Sequence, residues 1–545
     1  MDQRTGRIAE AEALVETGRW SDAAGAYAKI VAAGVSDFGV HLNFGIALMH
    51  CSRFEHGRDQ FSAALRYRPD SIEALTNLAG AHVNLGNPCA AEESFRRILA
   101  VQPAYPTAWV NLGVALADQG RITEGLEALQ RGWNLAPDDS AARNNLLLHL
   151  NYACKDGLGL VEVHEAICAT IPSASRKSLP NTAGRRIRIG YVSNDFRGHS
   201  VAYFLVGILA AHDRNAFEIS CYSLTHAPDR MTANFVRLSD HFVDLSNCTD
   251  AEAAKRIEAD EIDILVDLGG HSSGGRIGIF SCRPAPIQVT YLGYPATTGC
   301  SFIDSRMVDA LTDPEGCDAL STEKLIRLPA PFICYTPNAA SPEVAPLPAL
   351  ANGHITFGSF NQSAKISDET LDLWSRVLSG VPDSRMFIKA RAFSDAQVCG
   401  RFRQRFAERG LDASRITFSG LIANPQEHLA AYGKVDVALD TFPYNGTTTT
   451  CEALWMGVPV ISLVGGLHAA RVGYSILSAV KLEGLATTSD DDFVALSVAF
   501  SEDRKQLAAL RSHLRMVVAS SPLCDRTRFT RGLEDAYQKM VAGGI

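Results

Sequence analysis

The stretch VDVALDTFPYNGTTTTCEALWMGVPVISL, residues 435–463, reads as strand, turn, helix, strand. An apolar run closes at Asp440, a Pro/Asn/Gly turn follows, and four threonines open a helix that carries Glu452 and Trp455. A second apolar run, 458–463, comes next, which is the pattern of parallel strands joined by a crossover helix. A helix that starts at a strand's carboxyl end turns its free N–H groups and its dipole toward an anion. Thr447, Thr448 and Thr449 add hydroxyl donors suited to phosphate oxygens. Glu452, one turn further in, is placed to accept both hydroxyls of a ribose. A threonine cap followed by a surface glutamate would explain these residues singly. It would not explain their order, which is the order a nucleotide diphosphate needs.

Outward from this stretch the texture repeats. Apolar runs rich in β-branched residues occur at 187–192, 218–224, 262–268 and 287–292, then at 355–360, 386–389, 416–419, 435–439 and 458–463, with helical patterns between them. They predict two doubly wound lobes, over 185–345 and 346–545, with the Pro- and Ala-dense segment 337–353 as a hinge. A ligand is then expected in the cleft outside the carboxyl ends of the strands.

The N-terminal quarter differs. Pro69, Pro103 and Pro137 are spaced 34 residues apart, the length of a tetratricopeptide helix–turn–helix unit. Asn43, Asn77, Asn111 and Asn145 keep the same step, as do Ala47, Ala81 and Ala115, while Gly86 and Gly120 mark turns between paired helices. About four repeats are expected over 1–153, the first irregular, followed by a Pro/Ser/Arg-rich connector over 154–184. Solenoids of this kind bind polypeptides along a concave face. A side-chain amide donates to one backbone group and accepts from another, so the four asparagines are candidates for holding an extended peptide; packing between repeats is their alternative role.

Bulk properties narrow the classes. The chain has 545 residues, too many for one core, and a net charge of −9, which argues against a general nucleic-acid binder. Thirteen scattered cysteines without a CxxC pair fit a reducing compartment better than a disulfide framework. No long apolar run suggests a membrane span, and the first residues lack the apolar core of a signal peptide, so a cytoplasmic location is expected.

Further candidates lie at strand ends. In ITFGSFNQSAKISDETLDLW (355–374), Lys365, with Gln362 beside it, is placed to neutralise a departing diphosphate. In IRIGYVSNDFRGHSVAYFL (187–205), His199 faces the cleft as a candidate general base. DILVDLGGHSSGGR (263–276) carries His271, a possible partner for substrate hydroxyls, and RPAPIQVTYLGYPATTG (283–299) ends a strand in Gly293, Tyr294 and Pro295. The glycines of either loop would equally serve tight turns. IANPQEHLAAY (422–432) puts His428 where its ring could stack on a base, and GGLHAARVG (465–473) adds His468 and Arg471. The run Ser489-Asp490-Asp491-Asp492 reads as a helix cap, and no metal site is assigned.

Taken together, RPAPIQ, LGYP, ITFGSFNQ-x-x-K and DTFPYNGTTTTCE-x-L-x-MG resemble the family-41 glycosyltransferases, the protein O-GlcNAc transferases and plant SPINDLY proteins. The resemblance implies a tetratricopeptide superhelix followed by a GT-B catalytic region of two Rossmann-like lobes. It implies inverting, metal-independent transfer of a sugar from a nucleotide donor, UDP-GlcNAc being favoured, to Ser or Thr hydroxyls of proteins, with no cofactor. By the same resemblance Lys365 stabilises the diphosphate with Gln362 as its neighbour, Thr448 and Thr449 contact phosphate, Glu452 holds the ribose, His428 lies against the base, and Ala423 offers a backbone group to the base edge. His199 matches a proposed general base, a donor phosphate being the other candidate. The sequence also departs from the animal enzymes, which have histidine at Thr447, aspartate at Glu452 and lysine at Pro425. The wording TFPYNGTTTTCE is closer to SPINDLY, whose plant members use GDP-fucose, so fucosyl transfer, or transfer to a non-protein acceptor, is the alternative. The absence of the inter-lobe insertion and the short repeat array are expected of a bacterial member.

Overall fold

The structure, a computed structural model, describes residues 3–543; the outermost ends of the expected domain boundaries, residues 1–2 and 544–545, lie outside the described residues. The first ten helices form five antiparallel pairs, from Gln3–Glu16 with Trp20–Ala32 to Ser140–Ala153 with Gly157–Cys168. Pro69, Pro103 and Pro137 fall in the turns between pairs, where the chain cannot stay helical. Ala47, Ala81 and Ala115 are buried, so the repeated small residues set close helix packing. The connector expected over 154–184 is therefore corrected: Gly157–Cys168 is a helix that completes the last pair, and irregular chain begins only after it. Its apolar positions Leu160, Val161, His164, Ile167 and Cys168 are buried at helical spacing, a pattern overshadowed in the sequence by two glycines and the polar IPSASRK that follows.

Two parallel sheets follow. The first holds β1 (Ile187–Ser193), β2 (Phe217–Ser223), β3 (His241–Asp244), β4 (Ile264–Asp267), β5 (Ile287–Thr290), β6 (Ser305–Asp309) and β7 (Lys324–Leu328), in the order β3-β2-β1-β4-β5-β6-β7. The second holds β8 (Thr356–Ser359), β9 (Arg385–Lys389), β10 (Ile416–Ser419), β11 (Val437–Leu439), β12 (Val460–Leu463) and β13 (Ala486–Thr487), in the order β10-β9-β8-β11-β12-β13. In each sheet the strand order reverses once, between β1 and β4 and between β8 and β11. Such switch points open the crevice in which doubly wound folds bind ligands.

The lobe boundary needs a second correction. The last helix, Arg526–Val541, leaves the C-terminal lobe and packs on the first sheet's helices: Glu534 meets His212 at 2.9 Å and the Tyr537 hydroxyl meets that of Tyr191 at 3.1 Å. Its buried face, Phe529, Leu533, Tyr537 and Met540, is apolar like any other core face, and nothing in its pattern says which lobe it covers. The lobes also touch through His468, whose Nδ1 lies 2.5 Å from Asp313 Oδ2, and through Arg471, which donates to Leu311 O at 2.8 Å.

The helical array rests on both lobes. On the C-terminal side, the amide of Cys89 donates to Asp395 and Arg401 donates to Gln119. The turn glycines Gly86 and Gly120, both left-handed, sit against this lobe; a Cβ on Gly86 would lie 2.6 Å from Arg391 O. On the N-terminal side, Asn144 donates to Gly275 O at 2.8 Å and the Tyr294 hydroxyl to Leu147 O at 3.0 Å.

Candidate active site

The switch point between β8 and β11 gathers most of the expected residues. The turn after β11 is shaped by Asp440, whose buried carboxylate accepts from the amides of Gly446 (2.7 Å) and Thr441 (2.9 Å), from Ser462 Oγ (2.8 Å) and from Asn361 Nδ2 (3.2 Å). Burial pushes the Asp440 carboxyl up against the pull of those donors. The helix Thr448–Trp455 starts directly after this turn, and Thr447 at its cap makes no side-chain bond to the helix amides. The capping explanation of the threonine run therefore fails at Thr447. Thr449 Oγ1 donates to Asn361 Oδ1 at 2.9 Å, tying the helix start to the end of β8, and Thr450 Oγ1 turns back to Gly446 O.

Lys365 arrives from the other side of the switch point, on the single turn Ser363–Lys365 after β8. Its ammonium donates to Asn445 O at 3.0 Å and lies 3.9 Å over the Tyr444 ring, beside the helix start. Burial pushes it down to about 8, and Asp440 pulls the other way. A half-buried ammonium held by a carbonyl and an aromatic face, facing unbonded amides, is a site for a polyanion. Gln362, exposed, opens the same turn.

One turn into the helix, Glu452 is half-buried and Oε2 accepts from His428 Nε2 at 3.0 Å; the Tyr432 hydroxyl lies 3.3 Å from the same oxygen. His428 Nδ1 accepts from Lys389 Nζ at 2.7 Å. Ala423 is exposed in the loop before this histidine's helix, Pro425–Ala430, which Asn424 caps through the amides of Gln426 and Glu427.

Across the cleft, His199 caps the helix Ser200–Ala211 after β1. Its Nδ1 lies 3.3 Å from the buried Asp195 carboxylate, with the Val201 amide at 3.4 Å, so Nε2 is the nitrogen left for a substrate. Burial lowers the imidazole and raises the carboxyl, while their mutual attraction works against both shifts. One turn on, Tyr203 has its phenol raised by burial and by the Glu452 carboxylate, so the helix of His199 faces the helix of Glu452.

His271 does not join this site. Its ring is fully buried, with Nδ1 3.0 Å from Asn144 Oδ1 and Nε2 2.8 Å from Thr298 O. The glycine-rich loop after β4 turns its histidine into the seam with the helical array, because the two loop amides that could have faced a ligand, those of Gly269 and Gly270, bond back to Asp267. Cys168, His271 and Cys300 bring three potential metal-binding atoms within 4.8 Å of one another in that seam. Gly293 is likewise structural, since a Cβ there would lie 1.9 Å from Leu268 O. Ser489 caps its helix through the Asp492 amide, as expected of the acidic run.

The four asparagines are half-buried on the first helices of four successive pairs. Asn77 and Asn145 each donate to their own helix, at Glu73 O and Ala141 O. Part of their hydrogen-bonding capacity thus serves the solenoid itself. Sequence reasoning misses the parts that Asp195, Tyr432 and Lys389 play here. The signal for Lys389 was present: it is a lysine ending the otherwise apolar strand MFIK, at the same sheet edge as the other candidates.

The sequence model of glycosyl transferase family 41 matches residues 160–337 and 347–533, and that of the tetratricopeptide repeat matches 76–140. The chain is 39% identical over 425 residues to a protein of Oryza sativa subsp. japonica named "Probable UDP-N-acetylglucosamine--peptide N-acetylglucosaminyltransferase SPINDLY", covering 76% of this chain and 46% of that protein. The Arabidopsis thaliana protein of the same name is 40% identical over 414 residues, covering 74% of this chain and 45% of its own. The chain thus spans about half the length of the curated relatives it matches. A solved structure of a mutant Thermobaculum terrenum O-GlcNAc transferase superposes with a TM-score of 0.86 at 34% identity, over 92% of this chain and 97% of that one.

Proposed function

The chain belongs to glycosyl transferase family 41, and from that premise we propose that it moves a sugar from a nucleotide donor, UDP-GlcNAc being favoured, onto Ser and Thr hydroxyls of polypeptides, with inversion and without a metal. One observation carries the reading: an ammonium, an uncapped helix start and a half-buried carboxylate converge at a single switch point, in the order of a diphosphate and its ribose. The acceptor hydroxyl attacks the anomeric carbon as the bond to the diphosphate breaks. The negative charge left on the diphosphate falls on Lys365 and on the amides and hydroxyls of Thr447–Thr449, preorganised donors that act where charge develops. The hydroxyl proton goes to His199 Nε2, in the tautomer whose Nδ1–H faces Asp195 in place of accepting from the Val201 amide, with Asp195 then supporting the imidazolium, or to a donor phosphate oxygen. Gln362, Ala423 and His428 complete the donor site.

The helical array presents Asn43, Asn77, Asn111 and Asn145 to the acceptor chain. A cleft of about 600 Å³ between the array and the C-terminal lobe, lined by Gly120, Lys155, Ile366, Arg401 and Pro443, opens beside the turn that holds Lys365 and gives such a chain room. We place the protein in the cytoplasm; among the described residues no helix is long and apolar enough to cross a membrane.

A donor panel with a peptide acceptor, read by mass spectrometry, tests the reaction. UDP-GlcNAc is expected to add its sugar, and Lys365→Ala to reduce the rate roughly a hundredfold or more while leaving the fold intact. Full turnover in Lys365→Ala would reject the assignment. Fucosyl transfer from GDP-fucose is the second reading, favoured by Thr447 and Glu452 standing where animal O-GlcNAc transferases have histidine and aspartate; product with GDP-fucose alone would establish it.

A further inference from the structure

Lys389 is the last residue of β9, and β9 pairs with β8, the strand that leads to Lys365. The residue is 8% exposed, yet among the described residues its ammonium forms no ion pair and has one hydrogen-bond partner, His428 Nδ1 at 2.7 Å. Buried charges ordinarily carry a counter-ion or a full set of hydrogen bonds. Besides that bond the ammonium has only the face of the Phe360 ring, 5.5 Å away, so at this strand's carboxyl end it is short of hydrogen-bond acceptors.

The contact has a second consequence. A lysine ammonium has donors only, so His428 Nδ1 must accept, and the proton of the neutral ring sits on Nε2. That N–H points at Glu452 Oε2, 3.0 Å away, and the Tyr432 hydroxyl lies 3.3 Å from the same oxygen. The other carboxylate oxygen, Oε1, has no protein partner among the described residues. Without Lys389 the ring could take the other tautomer, and a lone pair would then face the carboxylate.

We propose that Lys389 is a positioning residue for the nucleoside end of the donor: it fixes the tautomer of His428, which fixes Glu452 with one oxygen free for the ribose hydroxyls, and its spare N–H groups receive an oxygen of the bound nucleoside. The proposal rests on the reading above, in which the nucleoside lies beside His428 and Glu452. The low polarity around Lys389 suits this role, since burial lowers its ammonium and makes an added acceptor worth more.

The test uses the full chain, titrated calorimetrically with UDP, GDP and inorganic pyrophosphate, and assayed with donor and peptide. Lys389→Met is expected to weaken the preferred nucleotide tenfold or more and to raise KM for the donor by a similar factor, with kcat changed less than threefold. Pyrophosphate affinity should stay within threefold, because that end of the donor does not reach Lys389. Lys389→Arg should recover most of the loss. Should Lys389→Met fail to fold, Lys389→Leu, which likewise removes every N–H, carries the same comparison. Unchanged nucleotide affinity in the variants would overturn the proposal, as would an equal loss for pyrophosphate. If the unsubstituted protein bound neither nucleotide, the functional reading would fall and this proposal with it.

Discussion

Burial pushes the Lys365 ammonium down to about 8, against the opposing attraction of Asp440. Between about 8 and the ordinary lysine value near 10.4, an unfolded chain holds more protons than the folded one, so the stability of the unliganded protein rises with pH across that window. Nucleotide affinity runs the other way. The diphosphate needs the cation, so UDP or GDP binding should weaken as pH passes about 8, by up to tenfold per unit. Lys365→Ala should lose that slope, and a flat profile in the unsubstituted protein would remove the cation from the binding step. At this scale the sequence is informative where residues share one motif: Lys365, Thr447–Thr449 and Glu452 stand where their order implied. His271 and Lys389 show the limit. His271 lies in the loop after β4 and Lys389 ends β9, but whether the side chain turns to the cleft or to the seam depends on a partner 127 residues away for His271 and 39 away for Lys389.

At the scale of elements, the proposed phosphate contacts fall on the helix Thr448–Trp455, and Thr448→Val isolates them. Valine keeps the branched shape while removing one hydroxyl, so the fold and melting temperature should hold. Loss of a hydrogen bond to a charged oxygen costs about 1.5–3 kcal/mol, roughly tenfold to a hundredfold in nucleotide affinity. Unaltered affinity would mean that the hydroxyl faces no phosphate. The strands on either side were legible because parallel strands buried on both faces read as continuous apolar runs. β3, β6 and β7 were not. β3 lies at the sheet edge and is partly exposed, and β6 interleaves the buried Ser305, Arg306 and Asp309, with Arg306 paired to Asp313 and Asp309 accepting from Ser475, 166 residues away. Burial that depends on such partners leaves no periodic mark.

Across the whole molecule, the helical array is more than an appendage, since it bonds to both lobes and holds one end of the cleft. The left-handed turn glycines Gly86 and Gly120, legible as helix stops, prove to be docking points as well, a role set by the surface they meet. The last helix crosses back to the first lobe, and His468 reaches across to Asp313, so the two lobes are joined at two separate places. A donor is therefore expected to enter a largely formed crevice at the β8–β11 switch point. A crystal soaked with UDP or GDP tests this most directly. The pyrophosphate is expected within hydrogen-bonding distance of Lys365 Nζ and of the amides of Thr448 and Thr449; a pyrophosphate bound at the strand ends of the first sheet, or anywhere away from this helix start, would contradict the account.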